Sequence, residues 1–226
     1  MVKTFLILII FPIFLFSKQQ IILVVSEDFN ASKASLSCFE DNKKVFKDFD
    51  VNIGKNGLGW GLGILDLKHN KLEPLKYEGD KKAPIGIFKL TSVFGYKKQN
   101  HLHMPYLHVD KNTICVDESN HKNYNQIITM PKNKPKSFEY MKRDDQQYEL
   151  GIVVQHNKRQ VKQRGSCIFL HVEKFNGAGT AGCTSMNLKN IKQIIYWLDK
   201  KNNPILIQIP KSKLNQVQLL YPNLQL

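Results

Sequence analysis

A cysteine and a histidine lie close together in the sequence, and both side chains can do covalent chemistry. Cys183 is in the small-residue segment GAGTAGCTSM, residues 177–186, and His171 lies near the end of SCIFLHV, twelve residues upstream of the cysteine. A thiolate is a strong nucleophile, and a neighbouring imidazole can take the thiol proton and stabilise the resulting anion. The pair therefore predicts a nucleophile, Cys183, with His171 as its general base.

The small residues around Cys183 suit either of two roles. Glycine and alanine leave room for a substrate backbone to approach the thiol, and the N–H groups of Gly182 and Cys183 are candidates for an oxyanion hole. The same glycines also permit a sharp turn around a structural cysteine. In that alternative Cys183 is a small hydrophobic residue or half of a disulfide, and His171 is a buried strand residue.

The segment that carries His171 alternates with the two-residue period of a β-strand. His171 shares one face with Cys167 and Phe169, and the opposite face is aliphatic, with Ile168, Leu170 and Val172. We expect the aliphatic face to lie in the core. A strand followed by a glycine-rich loop can then fold back and bring His171 beside Cys183.

Similar patterns predict further strands along the chain. They cover residues 19–26, 35–40, 44–54, 77–96, 113–119, 150–157 and 205–210. Between them, five glycines within residues 54–63 predict a loop or hairpin. So many short strands favour a compact β sandwich or barrel-like domain.

Two segments have helical features. Residues 137–150 are predicted as a short helix, with Ser137 as the cap and Glu139 in the first turn. The second helix begins near residue 187, with Asn187 or Ser185 as its cap, and Pro204 stops it. Its predicted apolar face consists of Leu188, Ile191, Ile195 and Leu198. The sequence thus predicts a mainly β fold with about two helices.

The composition is that of one globular domain with a strong positive charge. The chain has 226 residues, 42% of them hydrophobic and 23% charged, with a formal net charge of +14. Such a charge favours anionic surroundings such as nucleic acid, acidic lipid or a phosphate-rich envelope. The lysines are spread along the chain without a nucleic-acid-binding motif, so we expect no nucleic-acid partner. Neither a nucleotide-binding loop nor zinc-ligand spacing is found, so we expect no cofactor and no metal.

The N-terminus predicts export. Residues 1–18, MVKTFLILIIFPIFLFSK, have a positive start, an apolar run too short for a comfortable membrane span, and Ser17. A poor cleavage site leaves an uncleaved anchor as the alternative. The predicted organisation is a leader over 1–18, one domain over 19–210 and a tail over 211–226. The mature domain is expected to lack a membrane span and to reside in the periplasm or cell envelope.

Export changes the interpretation of the four cysteines. In an oxidising compartment they suggest two disulfides, with three possible connectivities. If Cys183 is a working thiol, three cysteines remain: Cys38, Cys115 and Cys167. In that case at most one bridge forms and one cysteine is spare.

Taken together, these residues resemble the L,D-transpeptidase (YkuD) catalytic-domain family of bacterial cell-wall enzymes. The signature of that family is a strand ending in histidine, a variable gap and Ser/Thr-x-Gly-Cys, matched here by His171 and TAGC over 180–183. Further segments match in order: GKNGLGWG, EGDKKAPIGIFKL, FGY, ICVDESNHKNYNQI, GIVVQHN and SCIFLHV. The resemblance covers roughly residues 20–210.

The resemblance implies a β sandwich of mixed sheets and acyl transfer on peptidoglycan stem peptides. The cysteine attacks a tetrapeptide carbonyl at the L-to-D centre bond and expels the terminal D-alanine, and an amine on a second stem then accepts the acyl group. With water as the acceptor, the enzyme is an L,D-carboxypeptidase. A non-catalytic module that only docks stem peptides is the alternative from another class, favoured if Cys183 is disulfide-bonded.

The resemblance also assigns residues by position. It makes Cys183 the nucleophile and His171 the base and then the acid, while Thr180 matches the Ser/Thr of the motif. Gly182 contributes a backbone donor or clearance. Thr184 and, as a second histidine near the site, His156 of VVQHN complete the predicted substrate- and oxyanion-facing set; the alternative for the second histidine is an orienting or buried role.

One departure from the family pattern affects substrate handling. The family commonly continues after the cysteine with an apolar residue and an arginine, but here TSM follows, residues 184–186. Lys174, Arg164 and Arg143 are candidates to bind a stem carboxylate instead. The two acids that precede APIGIF, Glu78 and Asp80, are assigned to the turn rather than to catalysis.

Overall fold

The computed structural model describes residues 18–174 and 177–226. The predicted leader therefore lies outside the described residues except for Lys18. Within the described ranges the chain forms fourteen β-strands, two α-helices and two short 3-10 helices. No helix in this part of the chain is long and apolar enough to cross a membrane.

The predicted mainly β fold is confirmed. The first seven strands are β1 (Gln20–Ser26), β2 (Lys33–Glu40), β3 (Lys43–Lys44), β4 (Phe49–Asn52), β5 (Leu58–Trp60), β6 (Ala83–Gly95) and β7 (Tyr106–His108). The remaining strands are β8 (Thr113–Val116), β9 (Ile127–Thr129), β10 (Phe138–Tyr140), β11 (Leu150–Val154), β12 (Phe169–Val172), β13 (Thr184–Met186) and β14 (Ile205–Pro210). The helices are α1 (Leu188–Trp197) and α2 (Leu214–Leu220), and the 3-10 helices are Lys200–Asn202 and Lys211–Lys213.

Eleven of these strands form one mixed sheet that closes on itself. Its order is β1-β14-β6-β11-β12-β13-β4-β2, and β2 returns to pair with β1, which makes the sheet barrel-like. The β1–β14 and β12–β13 pairs are parallel, whereas β6 pairs antiparallel with both β14 and β11. A second, antiparallel sheet has the order β10-β8-β9. The two sheets together position the site described below.

The predicted helix after the cysteine is confirmed as α1. Its N-cap is Asn187, whose side chain accepts a hydrogen bond from the Asn190 N–H at 2.9 Å. Ile191, Ile194 and Ile195 are buried in the main core with Leu170 of β12. The helix ends at Trp197 because the backbone of Leu198 is extended, so the prediction that Pro204 stops it is wrong. Packing of α1 against β11 and β12 supports the strand that carries His171.

The predicted helix over residues 137–150 is wrong. The segment begins with the short strand β10, which pairs with β8 and puts Glu139 opposite Cys115, and it continues as turns. FEY alternates with a period of two, so its aromatic side chains and its acid point to opposite sides of a sheet. The second helix of the fold is instead α2, in the C-terminal tail.

The C-terminal tail packs on the domain. Val217 of α2 and Leu224 are both buried in the main core. Gln216 exchanges two hydrogen bonds with the backbone of Lys68, each of 2.8 Å, and Lys213 pairs with Glu73. No function is predicted for this segment from its residues, and in the structure it covers apolar surface of the core.

Candidate active site

The parallel pairing of β12 with β13 brings the predicted nucleophile and base to one place. Leu170 is opposite Thr184 and His171 is opposite Ser185, so Cys183 enters β13 beside Phe169. The Phe169 N–H donates to Cys183 Sγ at 3.3 Å, and the thiol donates to the Cys167 carbonyl at 3.5 Å. In this structure the hydrogen-bond partners of the thiol are thus backbone groups at the entry to β12.

Both residues line one pocket of about 360 Å³. Gly182 and Thr180 line it with the cysteine, and charged side chains from the turn before β6 and from β10 line it as well. The lining includes Lys76, Glu78, Lys81, Asp117, Glu139, Arg143, Gln147, Tyr148, Ser166, His171, Thr180, Gly182 and Cys183. The structure therefore brings Cys183, His171, Thr180 and Gly182 together around one cavity.

Burial dominates the electrostatics of Cys183. The residue is 7% exposed, and burial, followed by the nearby charge of Glu139, raises the pKa of its thiol to about 12. The Phe169 N–H, the charge of Lys76 and the Tyr148 hydroxyl act in the opposite direction and lower the pKa. The resting thiol is consequently protonated at neutral pH.

The imidazole of His171 is neutral for the same reason. Burial lowers its pKa to about 4, with the charge of Arg143 adding to the effect and the Val172 backbone opposing it. Nδ1 lies 2.7 Å from the Val172 carbonyl oxygen, which assigns the proton of the neutral ring to Nδ1. Nε2 then carries the lone pair, so it is the nitrogen that can accept the thiol proton.

Thr180 and Gly182 shape the loop that leads to the cysteine. The Thr180 hydroxyl donates to the Cys183 carbonyl at 2.6 Å and accepts from the Gly182 N–H at 3.1 Å. Gly182 has a φ of 146°, and a Cβ there would lie 3.0 Å from the Lys82 carbonyl oxygen. Because that conformation is unfavourable for other residues, this position requires glycine. In this structure the Gly182 N–H donates its hydrogen bond to the Thr180 hydroxyl rather than to a substrate oxygen.

Two other predicted residues lie away from the pocket lining. Thr184 is buried, and its hydroxyl donates to Gln208 Oε1 at 2.7 Å. His156 is 2% exposed, with its ring 5.7 Å from that of Phe88, and burial lowers its pKa to about 3. Neither ring nitrogen of His156 has a hydrogen-bond partner within the described residues. Its position matches the buried alternative.

Two residues near the candidate catalytic pair, Tyr148 and Glu139, were not predicted from the sequence as part of the site. Tyr148 stands edge-on to His171, with ring centroids 5.1 Å apart, and its hydroxyl donates to Glu139 at 2.7 Å. Burial raises the pKa of the Glu139 carboxyl. The segment DDQQYEL looked helical and gave no indication of a site. The pairing of β10 with β8 brings Glu139 into the lining of the pocket. Because this pairing joins segments that are apart in the sequence, no local pattern indicates it.

The three candidate carboxylate-binding residues are placed differently. Arg143 lines the pocket, 5.1 Å from the Tyr148 ring centroid, and it forms a two-point ion pair with Asp145 at 2.9 and 2.6 Å. Arg164 instead donates to the backbone carbonyls of Lys76 and Trp60. Lys174 is not among the residues that line the pocket.

The cysteine pairing leaves the candidate nucleophile free. Cys115 of β8 is bonded to Cys167, while Cys38 and Cys183 are free and buried. The bridge joins the three-stranded sheet to the segment that enters β12, next to the pocket. This is the arrangement expected for a working thiol, with one bridge and one spare cysteine.

The two acids of the turn before β6 are engaged by hydrogen bonds. Glu78 accepts from the hydroxyls of Tyr124 and Ser166, and Asp80 accepts from two backbone N–H groups of its own turn. Across the ranges that the structure describes, no group of three or more His, Cys, Asp or Glu residues could hold a metal ion.

The fold and the pocket define a class of protein: a mainly β domain whose cleft holds a free thiol and a neutral imidazole, the residue types that acyl transfer through sulfur requires. The family model described as the L,D-transpeptidase catalytic domain, YkuD, matches residues 21–207. The chain therefore belongs to the L,D-transpeptidase catalytic-domain family, which acts on peptidoglycan. Comparison with curated proteins and with solved structures yields no significant match.

Proposed function

We propose that this protein is an exported cysteine acyltransferase that remodels or cross-links peptidoglycan stem peptides. The observation that carries the proposal is the free Cys183 beside His171 in one pocket of a domain of this family. Family membership supplies the substrate class, and the pocket supplies a nucleophile and a base. Peptide chemistry at this pair needs neither a cofactor nor a metal.

The neutral pair suggests the order of the proton transfers. Cys183 Sγ attacks the stem carbonyl carbon while the thiol proton moves to His171 Nε2, so that nucleophile and base act in one step. The imidazolium then gives that proton to the departing amine of the terminal D-amino acid, which leaves a thioester. His171 next takes a proton from the acceptor amine as it attacks the thioester, and the imidazolium returns that proton to the departing sulfur, which restores the thiol. If water attacks instead, the products are a shortened stem and the free enzyme.

The test is mass spectrometry of purified muropeptides incubated with the protein. Cys183→Ala and His171→Gln are each expected to abolish D-alanine release and cross-link formation while circular dichroism stays that of the wild type. Cys38→Ala is the matched control, since it removes the other free cysteine, which lies in the main core away from the pocket. Full activity of Cys183→Ala would refute the mechanism.

The same assay distinguishes transfer from hydrolysis. Incubation with a tetrapeptide stem alone measures release to water, and addition of a second stem with a free amine measures transfer. Cross-linked dimers that appear only with the second stem identify a transpeptidase. Tripeptide as the sole product under both conditions identifies an L,D-carboxypeptidase.

Export is the second part of the proposal, and it is based on residues 1–18. Fractionation of cells that express the full chain is expected to recover the protein in the envelope or periplasm. Intact-mass measurement of that material reports whether the leader has been removed. Recovery in the cytoplasm with residues 1–18 attached would contradict this part alone.

A further inference from the structure

A lysine is buried next to the loop that carries the candidate nucleophile. Lys76 is 2% exposed and lines the pocket with Gly182 and Cys183. Its side chain runs past two glycines: a Cβ at Gly165 would lie 2.9 Å from Lys76 Cε, and one at Gly182 would lie 3.5 Å from Nζ. Burying an ammonium is costly unless it is paired, so this placement calls for a physical explanation.

The turn formed by residues 77–82 does not need Lys76 to be buried. The ammonium donates to Asp80 Oδ1 and to the Tyr77 carbonyl. Asp80 already accepts from the N–H groups of Tyr77 at 2.7 Å and Lys82 at 2.8 Å, which is enough to hold the turn. The ion pair between Asp80 and Lys76 is therefore not needed to close the turn. The ion pair also compensates the buried ammonium, since burying an unpaired charge is costly.

The surroundings of Cys183 show what the lysine does. Three ionisable groups act on the thiol: Glu139 from β10, Tyr148 from the turn before β11 and Lys76 from the turn before β6. His171 from β12 lines the same pocket. Of these side chains, Lys76 is the basic one besides the neutral His171, and it is ion-paired with Asp80. The strand that follows the cysteine is uncharged, and the guanidinium of Arg143 is engaged by Asp145.

Three side chains surround the lysine itself. Asp80 from the same turn is its ion-pair partner, and Arg164 donates to its backbone carbonyl. His156 also flanks Gly165, 3.1 Å from a Cβ placed there, and it is a neutral ring. The charge next to Gly182 is therefore a fixed part of the pocket.

We propose that Lys76 is a positioning residue of this active site, whose buried ammonium stabilises the anionic form of Cys183 through space and backs the 180–183 loop. The inference rests on the proposed function for the identity of the reaction, but the effect on the thiol is independent of any substrate. It agrees with the direction in which Lys76 moves the pKa of Cys183. Removing the charge should make the thiolate rarer at any given pH.

The test is the rate of Cys183 alkylation by iodoacetamide between pH 7 and 10, with peptide mass spectrometry to identify the modified residue. In this range the rate is proportional to the thiolate fraction, and each unit of pKa changes it tenfold. Lys76→Met is expected to lower the rate by about tenfold, and Lys76→Arg to restore most of it. Glu139→Gln, which removes the opposing negative charge, is expected to raise the rate.

The control variants distinguish loss of the Lys76 charge from loss of folding. They also distinguish an effect on thiol reactivity from failure of the proposed enzymatic function. Lys192→Met removes the same charge from the exposed face of α1 and should leave the rate at the wild-type value. If Lys76→Met does not fold, Lys76→Gln, a neutral residue that still donates, takes its place. An unchanged rate in a folded neutral variant overturns the proposal, and so does a rate that Lys76→Arg fails to restore. Failure of the proposed function would appear instead as wild-type protein that alkylates with this dependence but consumes no muropeptide.

Discussion

Burial sets the protonation state of both candidate catalytic side chains. It raises the pKa of Cys183 to about 12 and lowers that of His171 to about 4, so the resting site holds a thiol and an imidazole rather than an ion pair. The sequence predicted a Cys–His pair, but a sequence does not reveal how deeply a pair is buried. Under the proposed mechanism the proton would therefore move during the attack on the substrate.

The first prediction concerns the acid side of the pH profile. His171 can accept a proton only while its ring is neutral, and in the folded protein it stays neutral down to a pH of about 4 rather than the usual 6.5. We therefore expect kcat/KM for D-alanine release to persist at pH 5 and to fall as the pH approaches 4. A series of initial rates between pH 3.5 and 7 measures this midpoint.

Acid unfolding must be excluded in that experiment. Because the buried imidazole binds protons less readily than in the unfolded chain, folding stability also falls as the pH drops below 6.5 and towards 4. Circular dichroism at each pH identifies the range in which the protein is folded. An acid limb centred at 6.5 in folded protein would contradict the prediction.

At the scale of elements, predictions succeeded where a local pattern carried the information. The alternation around His171 and the apolar face of α1 follow from neighbours within a few residues. Glu139 and Lys76 reach the pocket through the pairing of β10 with β8 and through a turn, contacts between segments far apart in the sequence. A three-residue strand such as β10 leaves too little periodicity to recognise, which is why residues 137–150 were predicted as a helix.

The second prediction concerns the bridge between β8 and the segment that enters β12. Cys115 and Cys167 are separated by 52 residues, and closing a loop of that length in the unfolded chain is worth about 4 kcal/mol in the chain-entropy model. The bridge also holds the sheet that carries Glu139 against the segment that enters β12. We expect reduction to lower both the melting temperature and the activity, as measured by thermal unfolding and muropeptide turnover with and without dithiothreitol.

The double variant Cys115→Ala/Cys167→Ala is the control for reduction. It should behave like the reduced protein and show no response to dithiothreitol, since its remaining cysteines, Cys38 and Cys183, are already free. A wild-type protein that melts at the same temperature in both conditions would show that the bridge does not stabilise the fold.

At the scale of the whole molecule, the C-terminal tail is part of the domain. Leu224 is 3% exposed and contributes to the main core, whereas Leu219 in α2 is 80% exposed. The third prediction is that Leu224→Ala lowers the free energy of unfolding by about 2 to 3 kcal/mol, because it removes buried apolar atoms and leaves a cavity. Leu219→Ala should change it by less than about 0.5 kcal/mol. Urea denaturation measures both, and equal effects of the two variants would refute the packing of the tail.

The net charge is the last property of the whole molecule, and it bears on how the protein finds its substrate. The sequence carries 33 Lys and Arg against 19 Asp and Glu, and six ion pairs join the described residues, so most basic side chains are available to solvent. Such a surface attracts an anionic polymer over a distance set by the ionic strength.

We therefore expect association with purified peptidoglycan to weaken as the salt concentration rises. The screening length falls from about 10 Å at 0.1 M salt to about 3 Å at 1 M, so the attraction between exposed charges is largely lost. A pelleting assay with Cys183→Ala, which prevents turnover, measures the bound fraction at both concentrations, with chitin as an uncharged glycan control. Binding that is equal at 0.1 and 1 M salt would assign recognition to contacts inside the pocket rather than to the basic surface.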